Sequence, residues 1–148
     1  MTSKLVQEGL MAGDSVVIPK SNVGLIEHYG VYIGTDKMRN HIFAENNVNT
    51  GVRLVTDKTF FKNCNSVLAV KKLTGGNVER GKAVQRALSL LGKPYELVNF
   101  NCEHYSNYVQ NERPNSQQVT KWFWTLLTLI ILAISFRQYF KPSTLKFS

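Results

Sequence analysis

Apolar and polar positions alternate with a period of two along His28-Tyr29-Gly30-Val31-Tyr32-Ile33-Gly34, the pattern of a half-buried strand. On that period His28, Gly30, Tyr32 and Gly34 share one face, and Tyr29, Val31 and Ile33 the other. The histidine therefore points away from the aliphatic side, towards a glycine-lined face that a ligand or a helix can approach closely. Ahead of it Ser15-Val16-Val17-Ile18 reads as a strand stopped by Pro19, followed by a loop over Lys20 to Gly24. After it, a turn at Thr35-Asp36-Lys37 and a second strand from about Met38 to Ala44 make a hairpin with His41 near the middle of its return strand. His28 and His41 lie 13 positions apart, and some hairpin registers put them within side-chain reach.

The remaining elements follow the same reading. Residues 1–12 are expected to be a short, weakly structured lead-in. Asn46 to Gly51 is a turn-rich loop, Val52 to Val55 a short strand, Asp57 to Lys62 a helical turn, and Ser66 to Lys71 another strand. Gly75-Gly76 breaks the pattern, and Asn77 is placed to cap a helix over Val78 to Leu91 whose stripe is Val84, Ala87, Leu88 and Leu91. Gly92 and Pro94 close it. A further helix opens at Cys102 and runs to about Asn111, and Pro114 to Ser116 is a short linker.

The last apolar segment is of another kind. Residues 122–136 carry no charge; alone they give roughly 22 Å of helix, short of a hydrocarbon core of roughly 30 Å. Extending the helix from Thr120 to Phe140 reaches about 31 Å, provided Lys121 and Arg137 snorkel to the two interfaces. Trp122, Trp124 and Tyr139 stand where an aromatic belt would put them. The expectation is a single C-terminal membrane anchor; the alternative is an apolar helix packed on the domain or lying in the interface. Lys121, Arg137, Lys141 and Lys146 supply four of the eight net positive charges. The rest is mildly basic, which suits an anionic membrane surface at least as well as nucleic acid. MTSKLVQEGL lacks the apolar core of a secretory signal, so the expected setting is a reducing compartment with Cys64 and Cys102 both free.

Candidate chemistry gathers at Asn101-Cys102-Glu103-His104-Tyr105. A cysteine in the first turn of a helix meets unpaired N–H groups and the positive end of the macrodipole, which favour a thiolate. With an imidazole to take its proton and a third group to orient that imidazole, it becomes an acyl-transfer nucleophile, and its own N–H can help to hold an oxyanion. His28 and His41 are the candidates for those two roles. His104 is about 200° round the helix from Cys102 and does not share the site easily. Against this, a lone cysteine is more often a small buried hydrophobe, and strand histidines are more often structural. Cys-x-His is not a usual zinc spacing, and Cys64, lying just before a strand, reads as structural.

These blocks resemble the lecithin:retinol acyltransferase-like family, including its H-RAS-like suppressor phospholipase/acyltransferase group, within the permuted NlpC/P60 superfamily. The resemblance rests on His28 to Gly34, His41 and Asn101 to Tyr105, with support from Gly13-Asp14, Gln85-Arg86-Ala87, Leu91-Gly92 and the apolar C-terminal segment. It spans about residues 12–140. It implies an α+β fold, a small antiparallel sheet packed against helices. It also implies Cys102 as nucleophile, His28 as general base and His41 as the orienting third member, with no cofactor and no metal. The implied reaction takes an acyl chain from a glycerophospholipid through a cysteine thioester and passes it to water, an amine or an alcohol. Ile26-Glu27 stands where the phospholipase branch often has Tyr-Arg, and the retinol enzyme's N-terminal hydrophobic segment and longer central insert are absent, so retinol is not implied.

The expected layout is a lead-in over 1–12, a catalytic domain over 13–113, a linker over 114–120, an anchor over 121–140 and a basic tail over 141–148. The expected partner is membrane phospholipid as substrate, with no nucleic acid, and the expected place is an intracellular membrane with the domain in the cytosol. Two rival readings are a non-catalytic membrane protein that kept the fold and a thiol peptidase or amidase.

Overall fold

A computed structural model describes residues 1–20, 26–64 and 66–139. The loop expected over Lys20 to Gly24, beyond Lys20 itself, the position of Asn65, the last residue of the expected anchor and the basic tail over 141–148 lie outside the described residues. The elements are α1 (Thr2–Gln7), β1 (Ser15–Pro19), β2 (Glu27–Thr35), β3 (His41–Asn47), β4 (Gly51–Thr56), α2 (Asp57–Phe60), β5 (Ala69–Lys71), α3 (Asn77–Ser89), α4 (Cys102–Asn111) and α5 (Gln117–Tyr139). Five strands form one antiparallel sheet in the order β4-β3-β2-β1-β5, so the fold is α+β as the sequence implied.

The period of two in β2 does divide it between two layers. Val31, with Ala44 of β3 and Val52 of β4, packs against Ala83 and Ala87 of α3 and Tyr105 and Val109 of α4. Tyr32, with Phe43 and Val55, packs on the other side against Phe60 and Phe61 near α2. The glycine-lined face is approached by a helix: a Cβ on Gly30 would stand 2.6 Å from Phe60 Cζ. Only a residue without one lets that ring come so close to the strand, where it stacks on Phe43 with centroids 4.7 Å apart. Phe60 also meets the His28 ring, centroid to centroid 5.8 Å.

Several boundaries differ from expectation. The hairpin turn is longer than Thr35-Asp36-Lys37, because Asp36 Oδ1 accepts from the N–H groups of both Met38 and Asn40, each at 2.8 Å. Arg39 takes a left-handed φ of 65°. β3 therefore starts at His41, not Met38, and the pairing of β2 with β3 shifts between Tyr32 and Gly34. The lead-in is helical over Thr2–Gln7, with Thr2 and Leu10 buried. α3 is capped at Gly76, whose N–H donates to Glu79 Oε2 at 3.0 Å, so Asn77 is its first residue. Its buried positions are Ala83 and Ala87, with Leu90 partly buried. Leu91, expected in the stripe, is exposed.

Asp14, fully buried, ties the start of β1 to α3 and to the segment leading into that helix. Its carboxylate accepts from Leu73 N–H at 2.9 Å, Met11 N–H at 2.9 Å and Arg80 Nη1 at 2.8 Å. Burial raises its pKa, but these bonds and the Arg80 charge outweigh that and hold it below the ordinary value.

The chain divides into two compact units, Met1–Ser116 and the segment from Gln117 onward. In the second, α5 runs for 23 residues, contains an 18-residue stretch of mean hydropathy 1.8, and has none of its residues buried. At 1.5 Å per residue it is about 34 Å long, enough to cross a hydrocarbon core.

Candidate active site

The Asn101-Cys102-Glu103-His104 block is a helix start in which each residue has a distinct task. Asn101 is the N-cap, in extended geometry, and its Oδ1 accepts from Glu103 N–H and His104 N–H, each at 3.0 Å. His104 closes the box from the other side: its Nδ1 accepts from Asn101 N–H at 3.4 Å. Burial holds the pKa of His104 below the ordinary value, against the Glu103 charge, which suits an imidazole that must accept a hydrogen bond. Cys102 is the first residue of α4, and its N–H is not engaged by the cap. The Glu103 carboxylate is buried between Ser116 Oγ, which donates to Oε2 at 2.6 Å, and Tyr29 O–H at 3.3 Å from Oε1. Tyr105 reaches into the core and donates to the Ala87 carbonyl at 3.1 Å.

Cys102 is buried beside Val17 and Tyr29, its sulfur 3.8 Å from the carbonyl oxygen of Glu27. The next residue is His28. Its Nε2 lies 2.7 Å from Glu45 Oε2, while Nδ1 is buried and completes no hydrogen bond of ordinary geometry. Cys102 acts on the same ring: burial lowers the pKa of His28, but hydrogen bonding and charge from Cys102 and Glu45 together raise it to about 9. Glu45 is buried, which raises its own pKa, yet His28 and Arg53 hold it below the ordinary value. Arg53 holds Glu45 by two bonds that converge on one oxygen, from Nε at 2.8 Å and Nη2 at 2.7 Å to Oε1. Cys102, His28, Glu45 and Arg53 thus form one connected line of groups.

The structure brings Cys102 and His28 together and keeps His41 away from them. His41 pairs with Thr35, seven residues along β2 from His28, or about 23 Å at the rise of an extended strand. Its Nδ1 is 2.8 Å from the Tyr32 hydroxyl. Glu45, opposite Gly30 on β3, occupies the place expected of His41. The cause is the five-residue turn and the register shift, which slide β3 along β2 and carry a carboxylate to His28. Tyr95, half-buried, also senses Cys102: its phenol is raised first by burial and then by the Cys102 charge. Among the described residues no group of three His, Cys, Asp or Glu side chains comes together to hold a metal ion.

An antiparallel sheet carrying an imidazole–carboxylate pair, with a cysteine at the head of the helix packed on it, defines the class of α+β proteins built around a cysteine and a histidine. Within that class, residues 8–115 match the family model for lecithin retinol acyltransferase, and the chain belongs to that family. The family is generally enzymatic, its members thiol acyltransferases, and membership points to acyltransferase or phospholipase-like activity on lipids. No curated protein sequence matches the chain.

Proposed function

We propose that this protein is a membrane-anchored thiol phospholipase A/acyltransferase, with Cys102 as nucleophile, His28 as general base and acid, and Glu45 rather than His41 as the group that orients His28. The observation that carries this reading is the imidazole of His28 held at Nε2 by a buried carboxylate while Cys102 acts on the same ring. With Nε2 committed, Nδ1 is the nitrogen left for the thiol. His28, charged near neutrality, already holds the proton of the Cys102 thiol, so the pair reacts as thiolate and imidazolium: the sulfur adds to the ester carbonyl of a glycerophospholipid, with the Cys102 N–H available to the oxyanion. Collapse breaks the ester C–O bond, His28 returns the proton to the departing lysophospholipid oxygen, and the acyl group remains as a thioester. Water, an amine or an alcohol then gives a proton to His28 and attacks the thioester, and the sulfur leaves as thiolate, which restores the thiolate–imidazolium pair. Glu45 and Arg53 hold the imidazole and stabilise its charged form throughout.

The apolar helix α5 supports a lipid substrate over a peptide one, because a spanning helix keeps the donor and the thiol at the same surface. The test is intact mass of the reconstituted chain after exposure to phosphatidylcholine. Wild type is expected to gain one acyl mass that hydroxylamine removes, and Cys102→Ala to gain none. A folded wild type that forms neither adduct nor lysophospholipid overturns the proposal.

A further inference from the structure

On the Phe60 side of the sheet an open cleft of about 350 Å³ is lined by His28, Glu45 and Arg53 together with Lys20, Lys62 and Asn63, while Cys102 is not part of its wall. The size is that of a small-ligand site. Its charge is unbalanced. Three fixed cations, Lys20, Arg53 and Lys62, face one carboxylate, and that carboxylate is buried and already bonded to both His28 and Arg53. Arg53 spends only Nε and Nη2 on Glu45, so its Nη1 side is left to a second anion, and its side chain is 38% exposed towards solvent. Lys20 and Lys62 are exposed and flexible enough to close on a ligand from the rim. A tetrahedral dianion matches an arginine fork flanked by two ammonium groups better than a single carboxylate does.

We propose that this cleft is a phosphate-binding site, in which a phosphate monoester is held by Arg53, Lys20 and Lys62 on the Glu45 side of His28. The phosphate belongs either to an anionic lipid headgroup or to a soluble phosphate ester, and the chemistry of the site is the same for both. The site does not depend on acyl transfer, and it can be measured in a protein whose nucleophile is removed.

The experiment uses the full chain carrying Cys102→Ala in nanodiscs and follows the thermal midpoint of its folded domain. One arm adds glycerol 3-phosphate to neutral phosphatidylcholine discs, against sodium chloride at equal ionic strength. The other replaces part of the phosphatidylcholine with phosphatidic acid. A rise in the midpoint in either arm is expected, and the arm that shows it names the source of the phosphate. Lys20→Gln/Lys62→Gln is expected to weaken the effect about tenfold in concentration while leaving the midpoint without phosphate unchanged. Lys62→Gln alone serves if the double variant folds poorly. No rise in either arm, or a rise that the lysine variants leave intact, overturns the proposal. An intact rise on phosphatidic acid would place the lipid on the basic flanks of α5 instead.

Discussion

At His28, burial and charge oppose each other and charge wins. A buried imidazole alone would titrate below 6.5; the Cys102 and Glu45 interactions carry it to about 9. The charged form is thus the resting form near neutrality, and this gives the linkage its sign. Stability from His28 is fully present below pH 6.5 and is lost as pH rises through about 9. Glu45, held below its ordinary value, contributes above that value and loses its contribution as pH falls. Glu45→Gln keeps the shape and removes the charge, so the imidazolium becomes easier to deprotonate. The alkaline limb of the acyl-transfer profile, expected near pH 9 in wild type, should move down towards 6.5. The rate at neutral pH should fall by on the order of 10²-fold or more. His41→Gln, which touches only the Tyr32 hydroxyl among these groups, should leave the profile in place. Profiles of both variants check the assignment, and a collapse with His41→Gln and none with Glu45→Gln would restore His41 to the role.

Among the elements, α2 is small but holds one side of this pair in place. Phe60 lies on Gly30 and against the His28 ring, so the strand's glycine and the helix's phenylalanine are a matched pair. Gly30→Ala should push the ring off the strand and cost about 1–3 kcal/mol. Phe60→Leu should cost a similar amount by leaving a void, and the double variant should lose less than the sum of the two. Chemical denaturation of all three checks the coupling, and simple additivity would mean that the ring and the strand do not compete for the same space. The period of two in β2 disclosed this face from the sequence, because pleat alternation is local. The place of Cys102 in the first turn of its helix was equally legible, since it needs only its own turn to define it. The partner of His28 was not. It depends on how far β3 slides along β2, and that is set by Asp36 binding two N–H groups and by Arg39 in a left-handed conformation. A hairpin of the same strands with a shorter turn would have brought another residue to the imidazole. The capping role of His104 was not read from the sequence either, although the spacing from Asn101 to His104 is that of a capping box and offered the signal.

For the whole molecule, the unit Met1–Ser116 has its own core and holds every group of the proposed site, while α5 has no buried residue. The two units then divide chemistry from location, and removing the second should affect only the latter. The position of the cut matters. Ser116 is buried and donates to Glu103 Oε2 at 2.6 Å, and it accepts from Asn101 Nδ2 at 3.3 Å, so a chain ending after Ser116 keeps the cap of the cysteine helix and one ending before it does not. Truncation after Ser116 should leave the thermal midpoint of the domain nearly unchanged, and its activity on a dispersed short-chain phospholipid within a few-fold of the full chain. On vesicles, where a tether raises the effective concentration of donor at the thiol, activity should fall by roughly 10²-fold or more. Sedimentation with vesicles, run beside both assays, separates lost binding from lost chemistry. If the truncated chain fails on both substrates while it stays folded, α5 contributes to the site itself and is not only an anchor. Ending the chain at Asn115 should instead lower the midpoint and both activities together, because the Glu103 carboxylate and the Asn101 amide would each lose a buried partner.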